Sequence, residues 1–350
     1  MKKIGIAGWA TRTGIGQMCR ELWDHKVAST WLAPLHPLLG VDPNVLPKHE
    51  GVVTCARNDE DGALAWLQTI DVLMLVEHNE YIFGRQGLVE KARSLGKTIV
   101  CIPMMEWLPL QRWVADVDIM WAVTEWTARE LVGVAAAMAA RGWPCRWESQ
   151  IVGGRWGVDL ERFKFTRRTK VKRFIFCNGN GGVLGRKGAE VVAKAARLAS
   201  HVPILFRSQK RELPPHLPDN VAVDLTNYDS NENLFDDGDV LLAPSRWEGI
   251  GLQLYEAQAC GLPVVTTNAQ PMRECRPLRT ISCTPGSPVD LCGRMLTPWE
   301  PSPAALASIL GDLHGAEIGE ESDAARAFVE RHHDIRAVCD ALRVVATGQL

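Results

Sequence analysis

The chain has 350 residues, of which 46% are hydrophobic and 23% are charged. This is long enough for two domains and too apolar for an intrinsically disordered protein. Lysine and arginine total 39 against 41 aspartate and glutamate, and the formal charge of −2 excludes a protein whose whole surface attracts a polyanion.

One basic run, residues 162–173 (RFKFTRRTKVKR), departs from this balance. We interpret it as a solvated linker between domains and not as a phosphate-binding stripe. The ten cysteines form no C-x-x-C pair, which is typical of reduced thiols in a cytoplasmic protein. The longest small apolar stretch, residues 131–140, is about half a membrane span, so we expect no transmembrane segment. The first apolar run is too short for a signal peptide.

The first half of the chain alternates short apolar runs with amphipathic stretches. The pattern predicts helices over residues 16–25, 59–67 and 87–95, and strands over residues 3–8, 30–35, 52–55, 72–77, 98–103 and 119–123. Strands and helices that alternate at this spacing form parallel sheets covered by helices. The continuous apolar character of DVLMLV and TIVCIP is typical of strands buried on both faces.

The same alternation restarts after the basic run. It predicts strands over residues 174–179, 203–207, 221–225 and 239–244, a helix over 188–199 and a short helix near Asn231. The tail over 322–345 is helical, with a break at 332–334. The predicted fold class is therefore α/β, with two Rossmann-like, doubly wound parallel-sheet domains. We expect domains over 1–160 and 161–335, and a C-terminal helix, about 336–350, that packs back on the first domain.

Two glutamates lie around a glycine turn that follows the strand DVLLAP. Glu248 and Glu256 have seven residues between them, so one lies in the turn and the other more than one turn inside the next helix. Both can face one ligand at the carboxyl end of the strand, where open α/β sheets bind ligands. Gly249 and Gly251, around Ile250, let the main chain approach that ligand and expose helix-start amides, which favour a phosphate.

Two cations follow the glycine-rich end of the strand over 174–179. In GNGGVLGRKG, Arg186 can grip phosphate oxygens in a planar fork, and Lys187 adds a compact charge. Arg207, at the end of the next strand, and Trp247 are further candidates for the same ligand. Arg-Lys pairs are usually surface charges, and Gly-x-Gly before a helix is weak alone. In combination, cations suit a diphosphate and carboxylates suit hydroxyls, which predicts a nucleoside-diphosphate sugar.

The stretch over residues 174–274 resembles the C-terminal domain of the family 4 retaining glycosyltransferases of the GT-B fold. Their E-x7-E motif is matched by Glu248 and Glu256, their R-K-G element by Arg186 to Gly188, and their hinge signature G-V-D-x-x-x-F by residues 157–163. The resemblance implies two Rossmann-like domains that face a central cleft. It also implies that Glu248 lies near the donor sugar, Glu256 near the nucleotide ribose, and the GIG amides near the donor phosphates and sugar.

The first half offers weaker candidates. ATRTGIGQMCREL resembles the N-terminal glycine loop of the family, in which Gly14 and Gly16 would contact the transferred sugar or the leaving phosphate; a plain Rossmann turn is the alternative. His78, Glu80 and Glu106 follow predicted strands and are candidates for orienting the acceptor hydroxyl, although such residues are often structural. Many family members have a histidine where this chain reads MMEW, so the acceptor-side assignment departs from the family pattern.

The reaction implied is transfer of a hexose from UDP-sugar or GDP-sugar to an acceptor hydroxyl, with retention at the anomeric carbon. The resemblance implies that Arg186, Lys187 and helix amides stabilise the departing diphosphate, with Glu248 near the transferred sugar. Because no D-x-D motif ends a strand, and His332 and His333 have no acid or cysteine at ligand spacing, we expect no metal and no other cofactor.

Several alternatives stay open at this point. A non-catalytic nucleotide-sugar binding protein would share the residues, and an NAD-dependent oxidoreductase or a phosphorylase would share the α/β pattern. The acceptor is not determined and could be a glycan, a lipid or a small molecule. The run TTNAQPMRE resembles a subgroup for which hydroxymethylated DNA bases are one acceptor class, but the neutral charge makes nucleic acid a less favoured partner.

Overall fold

The computed structural model describes residues 2–35, 40–56, 59–77, 87–179, 183–209, 211, 213–228 and 230–348. The chain divides into two compact units. The first contains Met1–Gly157, Asp290–Arg294 and Ile335–Leu350, and the second contains Val158–Val289 and Met295–Asp334.

The first unit is a parallel sheet with helices between most successive strands. Its strands are β1 (Ile4–Ala7), β2 (Thr30–Pro34), β3 (Val52–Cys55), β4 (Val72–Val76), β5 (Thr98–Ile102), β6 (Ile119–Ala122) and β7 (Ile151–Gly153). Its helices, before the C-terminal one, are α1 (Gly14–Asp24), α2 (Glu60–Gln68), α3 (Leu88–Ser94), α4 (Arg112–Ala115) and α5 (Glu125–Ala139). Within the described residues the strand order is β3-β2-β1-β4-β5-β6-β7, and the printed pairings are parallel.

The second unit repeats this plan. Its main strands are β8 (Phe174–Gly179), β9 (Ile204–Ser208), β10 (Val221–Asp224), β11 (Val240–Ala243), β12 (Val264–Thr267) and β13 (Arg279–Ile281). The helices α6 (Ala189–Leu198) and α7 (Leu252–Ala259) follow β8 and β11, and 3-10 helices cover Val183–Gly185, Asn231–Phe235 and Met272–Cys275. Where the structure describes it, the sheet has the order β10-β9-β8-β11-β12-β13, with parallel pairing.

Four short strands and three helices complete the chain. They are β14 (Cys283–Pro285), β15 (Val289–Leu291), β16 (Arg294–Leu296), β17 (Trp299–Pro301), α8 (Pro303–Leu313), α9 (Gly319–His332) and α10 (Ile335–Thr347). β14 pairs antiparallel with β17, and β15 pairs with β16. α10 belongs to the first unit, where Arg343 Nη1 donates to the carbonyl of His25 over 2.9 Å.

The central strands of both sheets are apolar, as expected where helices cover both faces of a sheet. All five residues of β4 are buried, as the run DVLMLV predicts. In the second sheet Phe174 and Phe176 lie in one core cluster, and the Phe176 and Phe206 ring centroids are 4.8 Å apart. Both strand orders reverse direction next to the first strand of the unit, which is the doubly wound arrangement. The α/β fold class is therefore confirmed.

The basic run over 162–173 is largely exposed, as predicted, but it is not a linker between the units. It lies inside the second unit, and Arg168 is buried with its Nη2 donating to the carbonyl of Phe235 over 3.1 Å. Other cations of the run form ion pairs, among them Arg167 with Asp323 at 3.0 Å. The sequence pattern did not reveal this, because most acidic partners of the run lie 64 to 156 residues away along the chain.

Candidate active site at the switch point of the second sheet

The second sheet reverses its strand order between β8 and β11, which pair in parallel. In open α/β sheets the loops after two such strands diverge and leave a crevice at their carboxyl ends. The loop after β8 carries Arg186 and Lys187, and the loop after β11 carries Glu248. The fold therefore brings together the two groups of residues that the sequence singled out separately.

Glu248 lies between the two cations. Arg186 Nη1 donates to Glu248 Oε2 over 3.0 Å, and Lys187 Nζ donates to Glu248 Oε1 over 2.8 Å. The Ser245 hydroxyl is also 2.8 Å from Oε1. Glu248 is only 4% exposed, so burial alone would raise its pKa. The charges of Arg186 and Lys187, with the hydrogen bonds from Lys187 and Ser245, overcome this and lower the pKa of Glu248 to about 2.

A backbone hydrogen bond and a glycine hold the two loops against each other. The Arg246 amide donates to the carbonyl of Arg186 over 2.8 Å. Gly188, the N-cap of α6, has φ of 76°, and a Cβ atom there would lie 2.2 Å from the carbonyl oxygen of Pro244. Only glycine allows both this backbone conformation and this close approach. The third residue of the R-K-G element thus lets the cations reach Glu248.

Glu256 occupies a different environment inside α7. It is 8% exposed, and Asn231 Nδ2 donates to its Oε1 over 2.8 Å. Burial raises the pKa of Glu256 to about 7, against the opposing influence of Arg162, Lys187 and the Asn231 hydrogen bond. The two glutamates of the motif therefore differ in charge state near neutral pH. Glu248 is ionised, whereas Glu256 is present in both its protonated and its ionised form.

The turn between the glutamates is buried. Gly249, Ile250 and Gly251 are all inaccessible, and Gly251 caps α7 with φ of 77°. Trp247 is 4% exposed, and within the described chain its buried Nε1 has no hydrogen-bond partner. These residues lie next to Glu248, where the sequence predicts them.

Arg207 is occupied by protein acceptors. Its Nε donates to Asp224 over 2.9 Å, its Nη1 to the carbonyls of Asn233 and Leu234, and its Nη2 to Asp237. The guanidinium carbon lies 4.9 Å from the centre of the Tyr228 ring. The arrangement ties the end of β9 to β10 and to the 3-10 helix over Asn231–Phe235.

The described first-unit candidates, Gly14, Gly16 and Glu106, follow β1 and β5 at the carboxyl edge of their own sheet. Gly14 begins α1 and is exposed, whereas Gly16 is buried, and a Cβ atom there would lie 1.8 Å from the carbonyl oxygen of Thr11. Glu106 follows β5 and is 5% exposed. His78 and Glu80 lie outside the described residues.

Sequence reasoning missed four residues of these clusters. Ser245 and Asn231 each hydrogen-bond a glutamate of the motif, and Arg162 Nη2 donates to Asn231 Oδ1. Arg162 lies inside the hinge signature, which is the signal that could have identified it. In the first unit, Arg294 Nη1 donates to the carbonyl of Met105 over 2.8 Å, next to Glu106. No local pattern marks Arg294, because it lies 189 residues from Met105.

Among the residues that the structure describes, no group of three or more His, Cys, Asp or Glu side chains could hold a metal ion. No helix in the described ranges is long and apolar enough to cross a bilayer. All ten cysteines are free thiols, and most are buried.

Residues 209–275 match the family model described as glycosyl transferases group 1. This segment contains Trp247, Glu248 and Glu256 and ends before β13. No curated protein matches the chain in a sequence search. The solved structures give the wider comparison, because similarity of fold persists when sequences have diverged.

Three solved structures illustrate the similarity. HepE from Anabaena, in complex with UDP and glucose, has a TM-score of 0.69 and 13% identity over 100% of both chains. The lipopolysaccharide outer core galactosyltransferase WaaB, in its apo form, has a TM-score of 0.61 and 15% identity over 100% of both chains. Sucrose-phosphate synthase from Thermosynechococcus elongatus has a TM-score of 0.58 and 13% identity over 100% of this chain and 97% of that one. Residues 209–275 are thus similar to the group 1 glycosyl transferases, and the chain as a whole has the GT-B fold of these solved structures.

Proposed function

We propose that this protein is a retaining hexosyltransferase that moves a sugar from a UDP-sugar to an acceptor hydroxyl without a metal ion. The observation that carries the proposal is the buried Glu248 carboxylate held by Arg186 and Lys187 at the switch point of the second sheet. The UDP and UDP-glucose bound to HepE support the choice of nucleotide.

The cations are suited to the diphosphate. Two positive charges face one carboxylate, so Arg186, Lys187 and Glu248 together carry a net positive charge, which favours an anionic ligand. The first-turn amides of α7 add partial positive charge at the end of the same turn. In the reaction, charge builds on the leaving diphosphate, and preorganised cations stabilise it more than they stabilise the bound donor. This supports catalysis without a metal.

The carboxylates are suited to hydroxyls. Glu248 lies beside the cations, where the sugar attached to the diphosphate would be, and can accept hydrogen bonds from sugar hydroxyls. Glu256, with Asn231, is assigned to the ribose. Gly249 and Ile250 form the turn beside Glu248, and Trp247 supplies a buried wall. We assign Arg207 to the support of this site and not to the phosphates, because its three nitrogens already donate to protein acceptors.

The acceptor side is less defined. Glu106, His78 and Glu80 remain candidates for orienting the acceptor hydroxyl, and Gly14 and Gly16 for contacts with the transferred sugar or phosphate. A nucleic acid acceptor gains no support from the basic run over 162–173. Its exposed cations Arg167, Lys170 and Arg173 lie within ion-pair distance of acidic residues, and paired cations release fewer counterions from a phosphate backbone.

Three measurements test the proposal. Thermal shift with UDP, GDP and ADP identifies the nucleotide, since a ligand at a hundred times its dissociation constant adds about 2.7 kcal/mol of stability. UDP release from UDP-glucose, UDP-galactose and UDP-N-acetylglucosamine is then measured with a panel of glycan, lipid and small-molecule acceptors. Proton NMR of the product reports whether the anomeric configuration is retained.

The matched variant is Glu248→Gln, which keeps the size of the side chain and removes its charge. We expect transfer to fall by about 10²- to 10³-fold, while UDP still binds. Glu321→Gln, an exposed position on α9, is the control for the substitution itself. If UDP binds the wild type and no sugar nucleotide is turned over with any acceptor, the chain is a binding protein and the proposal is wrong.

A further inference from the structure

The antiparallel pair β14 and β17 presents a row of polar side chains on one face. Thr284 pairs with Glu300, and the Ser302 amide donates to the carbonyl of Ser282 over 2.9 Å. Residues two apart along a strand lie on the same face, and so do residues directly opposite on the neighbouring strand. Ser282, Thr284, Glu300 and Ser302 therefore line one side of this two-stranded ribbon.

Helix α6 lies across from this polar face. Glu190 and Lys194, one turn apart on α6, line a cavity of about 390 Å³ together with the four ribbon residues and Arg246. Arg246 Nη2 lies 2.9 Å from Glu300 Oε2. Its Nε is buried and, within the described part of the chain, has no hydrogen-bond partner. The cavity thus places the Arg246 side chain beside carboxylates and hydroxyls.

The chemistry of the lining indicates the ligand class. Two carboxylates balance two cations, so the cavity has no net charge to attract a phosphate, and the carboxylates repel one. Hydroxyl groups of a sugar both donate and accept, and they can pair with carboxylates, hydroxyls and cationic donors in turn. The volume is also in the range of small-molecule sites. We propose that this groove is a second carbohydrate-binding site, which takes a neutral saccharide and is distinct from the donor site.

Arg246 links the groove to the loop that carries Arg186 and Lys187. Its amide donates to the carbonyl of Arg186 over 2.8 Å, and its Nη1 lies 3.4 Å from the carbonyl of Leu184. A saccharide that binds Glu300 changes the ion pair between Glu300 and Arg246. Because Arg246 is hydrogen-bonded to the loop that carries Arg186 and Lys187, this change shifts the conformation of that loop. Binding of saccharide and of UDP is therefore coupled, and the coupling is reciprocal. This coupling rests on the proposed function, whereas the saccharide site does not.

Calorimetry and saturation-transfer NMR on the full chain test the site, with maltotriose, cellotriose and triacetylchitotriose as probes. We expect at least one trisaccharide to bind, to stay bound when UDP is saturating, and to shift the dissociation constant of UDP. Glu190→Gln and Thr284→Val should each weaken saccharide binding by about fivefold. Glu321→Gln, exposed and outside the groove, should leave it unchanged.

Three results would overturn the site. They are the absence of binding by all three trisaccharides, complete displacement of the saccharide by UDP, and equal affinity in wild type, Glu190→Gln and Thr284→Val. Inorganic phosphate that competes with the trisaccharide at equal concentration would also contradict a neutral-ligand site. If UDP does not bind at all, the proposed function fails, while the contrast between Glu190→Gln and Glu321→Gln still decides the saccharide site.

Discussion

Lys187 Nζ and Glu248 Oε1 lie 2.8 Å apart, although 61 residues separate them along the chain. The contact joins the loop after β8 to the loop after β11 at the switch point of the second sheet. Because Glu248 is buried, its ionised form depends on Lys187 and Arg186 for stabilisation. A bound diphosphate would share the same two cations, so the ion pair both shapes the site and competes with its ligand.

Replacing Lys187 with methionine should weaken UDP binding. The change removes a charged hydrogen-bond donor while keeping an unbranched side chain, and such interactions contribute about 1.5–3 kcal/mol, or roughly 10- to 100-fold in affinity. Isothermal titration calorimetry with UDP measures the effect. Lys164→Met is the control. The Lys164 side chain is 73% exposed, and its Nζ lies 3.5 Å from the similarly exposed carboxylate of Glu161. Equal UDP affinity in wild type and Lys187→Met would show that Lys187 does not contact the diphosphate.

Glu256 should make stability fall as pH rises from 5 to 8. Its pKa is about 7 in the folded protein, against an ordinary value of 4.5 for glutamate, so the native state binds the proton more tightly. The contribution of the protonated form is fully present below pH 4.5 and is lost as pH rises through 7. This pKa difference corresponds to a change in folding stability on the order of 3 kcal/mol.

Urea denaturation of wild type and Glu256→Gln at pH 5.5 and 8 isolates this effect. We expect the variant to gain stability relative to wild type at pH 8 and to differ less at pH 5.5. Glu248 does not interfere, because its pKa of about 2 places its own loss of stabilisation below this window. Parallel pH dependence in the two proteins would mean that burial does not raise the pKa of Glu256.

Gly188→Ala should unfold or severely destabilise the second unit. The new Cβ atom would lie 2.2 Å from the carbonyl oxygen of Pro244. Neither the backbone at Gly188 nor that at Pro244 can move away without separating the loops after β8 and β11. Gly142→Ala is a matched control, since Gly142 has the same φ of 76° and no atom within 4 Å of the added Cβ. The control should lose about 1–2 kcal/mol from backbone strain alone, and Gly188→Ala clearly more. Circular dichroism during urea unfolding compares them, and equal losses would show that the clash is relieved.

Chelation should leave transfer unchanged. In the proposed reaction Arg186 and Lys187 supply the positive charge for the leaving diphosphate, so we expect rates with 10-fold excess EDTA over any trace metal to be within about twofold of rates with added Mg²⁺ or Mn²⁺. The assay is UDP release from the donor identified by thermal shift. A loss of activity with EDTA that Mn²⁺ restores would contradict the metal-independent reaction. The Lys187→Met variant should be slower than wild type and should likewise keep its rate in EDTA.

Parts of the fold could be predicted from the sequence because the signals are local. Apolar runs such as DVLMLV, glycine turns and helix starts mark most strands and helices of the two doubly wound sheets. The structure adds strands that these signals miss: β13 to β17 have three residues each, too few for a periodic pattern. The basic run over 162–173 is the converse case. Its local composition indicates a linker, and its distant acidic partners place it inside the second unit.

The sequence by itself determined which residue types follow which strand: the R-K-G element after β8 and the two glutamates after β11. Only the tertiary structure decided that Arg186 and Lys187 bind Glu248 and that Asn231 binds Glu256. The physical reason is that motif spacing fixes local geometry, whereas charge state depends on burial and on neighbours from other loops. Burial between two cations lowers the pKa of Glu248, and burial with weaker partners raises that of Glu256.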